Sequence, residues 1–487
     1  MPFLIALLAG ALSVLAYAPF GQFWLMPLSW MFLYVLLREE SVRPGRGFVL
    51  GWLWGIGAMF AGLCWLVVAL NRFGGMSAPL SVFLILLFSA GLALYPALAA
   101  AVFVRLRSRV WGLRVLLAAA CWIGAELLRG QLFPSFPWLA IGYTQTPPSP
   151  LAGWAPVLGV YGVGFLLLLL AAMLVEAWMN SHARRRALLL SVLLCVSGFG
   201  LSFVAWTQPV GAPVRVALIQ TNVAQDQKWR PELMMEHLQE NLDLLRQYPA
   251  QISVLPESSL PMLEDQLPQG YMEAIEAQAR AAGGDAVLGM FTRDAEGHIF
   301  NSSVTRGVSP SQRYSKNHLV PFGEYQPWGF GWFFKLASIP MADQTSGGAH
   351  QPLLLMAGQK IAMNICYEDV FGEELRRALP EATLMLNVSN LAWYGDSHAQ
   401  PQHLQMSRMR ALESGRPQLR STNTGMTGIV MPDGSVDKVL APFTQGAVVA
   451  EVRGYQGRTP FIWVGDWPVK IACALILVWA LGRQRRR

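Results

Sequence analysis

Apolar residues in this chain come in long blocks, and the blocks are unevenly distributed. Residues 1–206 hold seven long apolar runs and residues 469–482 one more, with a stretch of mixed composition between them. A bilayer core about 30 Å thick takes roughly 20 apolar helical residues to cross. On that measure the pattern predicts spans at about 3–20, 22–38, 48–70, 79–104, 114–129, 157–179, 187–206 and 467–482. Those at 22–38, 114–129 and 467–482 are short. The other reading of the first run is a cleaved signal peptide. No positive charge precedes it and more spans follow, so a retained span is expected. Residues 130–156, rich in Pro and aromatics, are too irregular to span and are expected to line a cavity against the outer domain.

Between residues 206 and 467 the periodicity changes. Residues 213–223 (PVRVALIQTNV) and 252–256 (ISVLP) are short, apolar and rich in β-branched side chains, as buried strands are. Residues 231–247 form an amphipathic helix opened by Pro231, and residues 270–282 a second one ended by Gly283 and Gly284. Further strands are expected at about 285–292, 299–306, 311–315, 353–365 and 383–388. A helix follows at about 400–414, then strands at about 418–422, 427–431 and 447–452. This alternation predicts an α/β layered domain with a largely buried sheet. Residues 322–345 fit neither class yet carry Trp328, Phe330, Trp332, Phe333 and Phe334. They read as a lid or lipid-contacting arm, with an ordinary packed loop as the alternative.

The balance of 53% hydrophobic against 14% charged residues is too apolar for a soluble chain of this length. The cations order the spans. With the N-terminus in the cytoplasm, the Arg clusters at 38–46, 105–114, 184–186 and 483–487 all fall on the cytoplasmic side. Only Arg72 and Arg129 lie in the short connections opposite. Residues 209–466 carry 20 Lys and Arg against 26 Asp and Glu, so the formal charge of +7 comes from the membrane segments. It is a topology signal and not a nucleic-acid patch. Both termini are then cytoplasmic, and the mixed domain faces the opposite side, in a bacterium the periplasmic face of the inner membrane. Glu126 and Arg129 lie one helical turn apart in the fifth span and are placed to pair.

Of five cysteines, Cys64, Cys121, Cys195 and Cys473 fall in apolar spans, where Cys acts as a small hydrophobe. Cys366 is the one thiol of the mixed domain and has no disulfide partner there. It ends an apolar strand in AMNICYED, a position that exposes and fixes a nucleophile. Glu257 in VLPESS also follows an apolar strand, where partial desolvation suits a general base. Lys316 in RYSKNHLVPFGEY offers a cation for an oxyanion. Taken singly, each has a plainer reading: buried filler, a surface carboxylate, an exposed lysine. The seven histidines are scattered without zinc-ligand spacing, and His398 with His403 reads as surface.

Together, LPESSL, YSKNHLVPFGEY, NICYED and LNVSNLAWYGDS make residues 214–452 resemble the nitrilase (carbon-nitrogen hydrolase) superfamily. That resemblance implies an αββα sandwich with a Cys-Glu-Lys triad. With eight spans and the N-terminal YAPFG added, the whole chain resembles the apolipoprotein N-acyltransferase family. By that resemblance Glu257 is the general base, Lys316 the oxyanion-side cation and Cys366 the acyl carrier. Glu324, Tyr367 and Glu368 are supporting residues, and Trp229 and Trp393 help line the substrate site. Leu391 stands where the family often has Asp. The domains implied are 1–206 with seven membrane helices, a nitrilase-like catalytic domain over 210–455, and a C-terminal helix with a basic tail over 467–487. The reaction implied moves a fatty acyl chain from a membrane phospholipid, through a Cys366 thioester, to a diacylglyceryl-cysteine apolipoprotein. No cofactor or metal is implied, and a monomer is expected. A membrane-anchored amidase is the competing enzyme reading, and a transporter or scaffold the non-enzyme one. Eight spans exceed what an anchor needs, and the spans hold few of the ionisable residues that mark a transport path.

Overall fold

A computed structural model describes residues 1–132, 135–329 and 343–484. The chain divides into two compact units, one of Met1–Val67, Ser77–Ala205 and Thr459–Arg487, the other of Val68–Met76 and Trp206–Arg458.

In the first unit, four helices are long and apolar enough to cross a membrane: Pro44–Leu63, Ala78–Leu106, Trp111–Gln131 and Ala152–Met179. Pro2–Ala16 and Leu25–Arg38 are shorter apolar helices, and Ser181–Leu201 and Trp467–Gln484 are the remaining long ones. The span expected at 114–129 is the longer helix Trp111–Gln131, because the charges that interrupt its apolar run are satisfied internally. Arg114 makes a two-pronged contact with buried Glu176, at 2.9 Å from Nε and 2.6 Å from Nη2. Arg129 lies 3.9 Å from Glu126 and donates to the carbonyls of Phe136 and Trp138. The span expected at 48–70 stops at Leu63. Small residues let helices touch backbone to backbone. A Cβ on Gly10 would sit 1.9 Å from the Trp54 carbonyl oxygen, and one on Gly57 would sit 2.1 Å from that of Leu7.

The second unit is a two-sheet sandwich. Its strands are β1 (Thr207–Gln220), β2 (Ile252–Val254), β3 (Leu260–Leu263), β4 (Asp285–Arg293), β5 (Ile299–Gly307), β6 (Arg313–Ser315), β7 (Leu354–Met356) and β8 (Gln359–Ile365). They continue as β9 (Leu384–Ser389), β10 (Gln418–Thr422), β11 (Gly428–Val430), β12 (Val436–Val439) and β13 (Gly446–Gly457). One sheet has the order β13-β1-β2-β4-β5-β6, with β3 also on β4; the other runs β12-β11-β10-β9-β8-β7. The pairs β1–β2, β2–β4, β8–β9 and β9–β10 are parallel, which explains their unbroken apolar runs.

Alternation along the strands builds three layers of core. Val214, Val216 and Leu218 of β1 meet Ile361, Leu386 and Leu419 of the other sheet in the central layer. Ile219 of β1, with Leu288 and Met290 of β4, meets Leu238, Leu242 and Ile275 from helices Met234–Gln247 and Tyr271–Ala281. On the far face, Leu404 and Ala411 of helix Ala399–Ser414 cover Val430. The sequence of layers is helix, sheet, sheet, helix.

Three strand assignments change. The run 353–365 is a hairpin, β7 and β8, turned by Ala357 (φ 47°) and Gly358 (φ 73°). Ala357 carries no turn signal, so the run looked continuous. β3 and β12, four residues each, were absent from the expected set. Of the expected lid at 322–345, residues 330–342, with Phe330, Trp332, Phe333 and Phe334, lie outside the described residues. Trp328 is almost wholly exposed.

Candidate active site

The chemistry gathers where strands of the sandwich end. Glu257 follows β2, Lys316 follows β6, and Cys366 follows β8. Open parallel sheets place ligands at these carboxyl ends. Gly289 of β4 makes room for the Glu257 turn, since a Cβ there would meet the Pro256 carbonyl oxygen at 2.3 Å.

Glu257 is buried and held on both oxygens. Oε1 accepts from Asn301 Nδ2 at 2.8 Å, and Oε2 accepts from the Asn390 backbone N–H at 2.7 Å. Lys316 Nζ lies 3.5 Å from Oε1 of Glu257 and donates to Glu324 at 2.6 Å. Asn301 serves both residues, for its own carbonyl accepts the Lys316 backbone N–H at 2.8 Å. Burial works against the Lys316 charge, but the carboxylates of Glu324 and Glu257 outweigh it and hold the pKa above the ordinary lysine range. Lys316 is a permanent cation. Burial raises Glu324 above the usual carboxylate range, with Lys316 opposing.

Cys366 is half-buried and adopts φ 54°, a left-handed conformation that costs a residue with a Cβ about 1–2 kcal/mol. Its neighbours enforce that geometry. The Cys366 carbonyl accepts from His403 Nε2 at 3.2 Å and Asn387 Nδ2 at 3.3 Å. Burial, and next the charge of Glu257, push the thiol pKa up, while Lys316 and the Asn390 backbone N–H pull it down. The resting sulfur is a thiol and needs a base to become a nucleophile.

Glu368 joins the Cys366 turn to the Lys316 loop. One of its oxygens accepts from the Ile365 backbone N–H at 2.6 Å, the other from those of Asn317 at 2.6 Å and His318 at 3.1 Å. The Tyr314 hydroxyl reaches both oxygens at 3.0 Å. Burial pushes Glu368 up to about 7, against the pull of these donors and Lys316. The buried Tyr367 ring packs edge-on against Phe371, 5.2 Å between centroids. Trp229 rests on Phe291 (5.8 Å) and Trp393 on Phe73 (5.5 Å). Among the described residues neither indole hydrogen-bonds to Glu257, Lys316 or Cys366. Leu391 is buried and still starts the turn, its carbonyl accepting the Tyr394 N–H at 3.1 Å.

Several contributors were missed in the sequence. His403, expected at the surface, is fully buried beneath Cys366. Its helix is covered on nearly every face, so its polar residues are core residues with dedicated partners. Arg420 Nη2 donates to His403 Nδ1 at 3.1 Å, and Arg420 also pairs with Asp369 at 3.0 Å. Lys228 was passed over beside Trp229. It is buried, and its Nζ donates to the Glu257 carbonyl at 3.2 Å. Burial lowers its pKa to about 8, with the charges of Glu257 and Cys366 pulling the other way. The Tyr394 hydroxyl, raised by burial, also lies within the field of Cys366 and Lys316. The one available signal was adjacency to the motifs QKW and LAWYG.

Comparison with known proteins covers both units. Residues 9–173 match the apolipoprotein N-acyltransferase N-terminal domain, and residues 215–460 match the carbon-nitrogen hydrolase family. A Nitrosomonas europaea protein named apolipoprotein N-acyltransferase is 42% identical over 96% of this chain and 95% of its own length. Proteins of the same name from Chromobacterium violaceum (42%; 99% of this chain, 94% of that one) and Ralstonia nicotianae (43%; 99% and 93%) are similar throughout. The chain belongs to the apolipoprotein N-acyltransferase family, enzymes of the carbon-nitrogen hydrolase superfamily.

Proposed function

We propose that this enzyme moves a fatty acyl chain from a membrane phospholipid to the N-terminal S-diacylglyceryl-cysteine of an apolipoprotein, through a thioester on Cys366. The observation that carries the reading is a strained, half-buried thiol under the opposed charges of Glu257 and Lys316. Near full-length similarity to acyltransferases of that name supports the substrates.

Glu257 takes the thiol proton as sulfur attacks an ester carbonyl of the phospholipid. Lys316 stabilises the oxyanion, together with a backbone N–H near Tyr367. The bond between the acyl carbonyl carbon and the glyceryl oxygen breaks, that oxygen takes the proton from Glu257, and a lysophospholipid leaves. The α-amino group of the acceptor then attacks the thioester carbonyl. The C–S bond breaks, an amide forms, and the thiol is restored. Glu324 fixes the Lys316 ammonium, Glu368 and Tyr367 hold the turn, and Trp229 and Trp393 border the substrates.

Eight spans, with both termini in the cytoplasm and the catalytic domain on the periplasmic face of the inner membrane, complete the proposal. The domain limits are 1–206, 210–455 and 467–487. The Arg clusters support that orientation, and the four long apolar helices support the membrane setting. The protein acts as a monomer without cofactor.

The test is to incubate purified protein with phospholipid and weigh the Cys366 peptide. A gain of one acyl chain is expected, lost together with transfer in Cys366→Ala. Lipoprotein acylation that persists in Cys366→Ala sinks the mechanism. Turnover of small amides without an acyl adduct hands the assignment to a hydrolase.

A further inference from the structure

The two half-reactions of the proposed cycle differ in their proton balance. In the first, the thiol proton ends on the lysophospholipid hydroxyl and nothing is left over. In the second, an acceptor α-amino group of pKa about 8 arrives largely as an ammonium at neutral pH. Ammonium plus thioester gives amide, thiol and one free proton. Two protons therefore leave the nitrogen: one ends on the Cys366 sulfur, the other must go elsewhere. Bulk water is a poor recipient, because water at an acyl-enzyme hydrolyses it.

Lys228 sits where such a recipient is wanted. Its Nζ is buried and donates to the Glu257 backbone carbonyl at 3.2 Å, the one hydrogen bond it makes among the described residues. As an ammonium it would keep two buried N–H groups unpartnered, a costly state. As an amine it satisfies that carbonyl with one hydrogen and keeps its lone pair open. The titratable groups that face it are Glu257 and Cys366. Lys316 and Glu324 are held on the far end of the same ion-paired group, at the Glu257 carboxylate. On its own segment Asp226 and Arg230 are exposed, and His237 from the following helix meets the Gln227 carbonyl at 3.4 Å.

We propose that Lys228, as a neutral amine, is a second proton acceptor of the site, taking the first proton from the acceptor's α-ammonium. Glu257 takes the second as the C–N bond forms and passes it to the departing Cys366 sulfur. Lys228 gives up its proton to water after the product leaves. This rests on the acyltransferase reading above. With its pKa lowered by burial to about 8, Lys228 holds the neutral amine as its minor form at pH 7, level with the amine it would deprotonate, so the transfer is close to balanced.

The two half-reactions can be timed separately. Full-length protein is acylated in mixed micelles of phosphatidylethanolamine and phosphatidylglycerol, then mixed with a synthetic diacylglyceryl lipopeptide across a range of pH. Lys228→Arg keeps a donor for the Glu257 carbonyl but cannot deprotonate. It is expected to slow transfer at pH 7 by at least about tenfold while slowing acylation far less. The gap should close above about pH 9, where the acceptor arrives as a free amine. Lys228→Met, which has neither charge nor base, should show the same split. Acylation itself reports that each variant has folded. Wild-type transfer rates at pH 7 in both variants overturn the proposal. So does equal slowing of both half-reactions, which would mark a residue that only positions Glu257. A wild-type protein that never becomes acylated refutes the Cys366 thioester instead.

Discussion

His403 donates from Nε2 to the backbone carbonyl of Cys366 at 3.2 Å, and accepts from Arg420 at Nδ1. The two bonds fix one neutral tautomer, in which the imidazole holds the Cys366 backbone. Burial, then the Arg420 charge, put its pKa well below the usual 6.5. An unfolded histidine takes a proton near pH 6.5 and the folded one does not. The contribution is therefore complete above about pH 6.5 and lost as pH falls. The stability of wild type minus that of His403→Gln should decline from pH 7 to 5, measured by thermal melts in detergent. A flat difference would exclude this titration.

Glu368 has the opposite sign. Its carboxyl is raised to about 7, so the folded state holds a proton that the unfolded chain has released. The stabilisation is complete below about pH 4.3 and fades as pH rises through about 7. In the same melts, wild type minus Glu368→Gln should fall from pH 4.5 to 7.5. A difference that rises over that range contradicts the assignment.

The left-handed turn at Cys366 predicts an unusual ranking of variants. Cys366→Gly should be more stable than Cys366→Ala by about 1 kcal/mol, because glycine adopts φ near 54° without a Cβ clash. Both lack the thiol, so melting temperature is the readout. Equal stability would mean that the turn relaxes.

Glu257→Gln places an amide where two donors converge, Asn301 Nδ2 and the Asn390 N–H. It removes the proposed base and misdirects one hydrogen bond. Acyl-enzyme formation, followed by mass spectrometry of the Cys366 peptide, should slow by at least about a hundredfold. A change under tenfold would assign the base elsewhere.

Gly57 and Gly91 separate packing from composition in the membrane unit. A side chain at Gly57 meets the Leu7 carbonyl, whereas Gly91 has open space. Gly57→Leu should lower the melting temperature of the purified protein, with a cost of about 1–3 kcal/mol or more. Gly91→Leu should leave it near wild type. Equal effects would show that the close helix contact is not required.

The sandwich was legible because its parallel strands are buried on both faces and their apolar runs are short and bounded, as at Ile252–Val254 and Leu384–Ser389. The hairpin of β7 and β8 was not, since Ala357 gives no hint of a positive φ. Charged residues within Trp111–Gln131 hid part of that helix. Sequence alone gives a charge but not the partner, such as Glu176, that makes it tolerable inside.

In the candidate site, the grouping of Glu257, Lys316 and Cys366 was legible because each follows a recognisable strand within a distinctive motif. Asn301, Asn390 and His403 were not. Asn301 and Asn390 act through a backbone group as well as a side chain, and His403 acts on a backbone carbonyl, so residue type alone advertises nothing. Lys228 was hidden by its chemistry. A lysine in a polar segment reads as surface, and only its burial against Glu257 shows otherwise.

The Glu176 cluster bears on the order of events during synthesis. Arg38 and Arg114 leave the ribosome well before Glu176, and in the finished unit both face its carboxylate, at 3.5 and 2.6 Å. In the proposed topology they pass through membrane insertion as uncompensated cations, when such charges set orientation. Once the helix that carries Glu176 arrives, the same two guanidinium groups become its ion-pair partners. Orientation and packing thus draw on the same charges at different times, and a chain cut short before Glu176 would insert in the same direction yet lack the residue that closes the cluster.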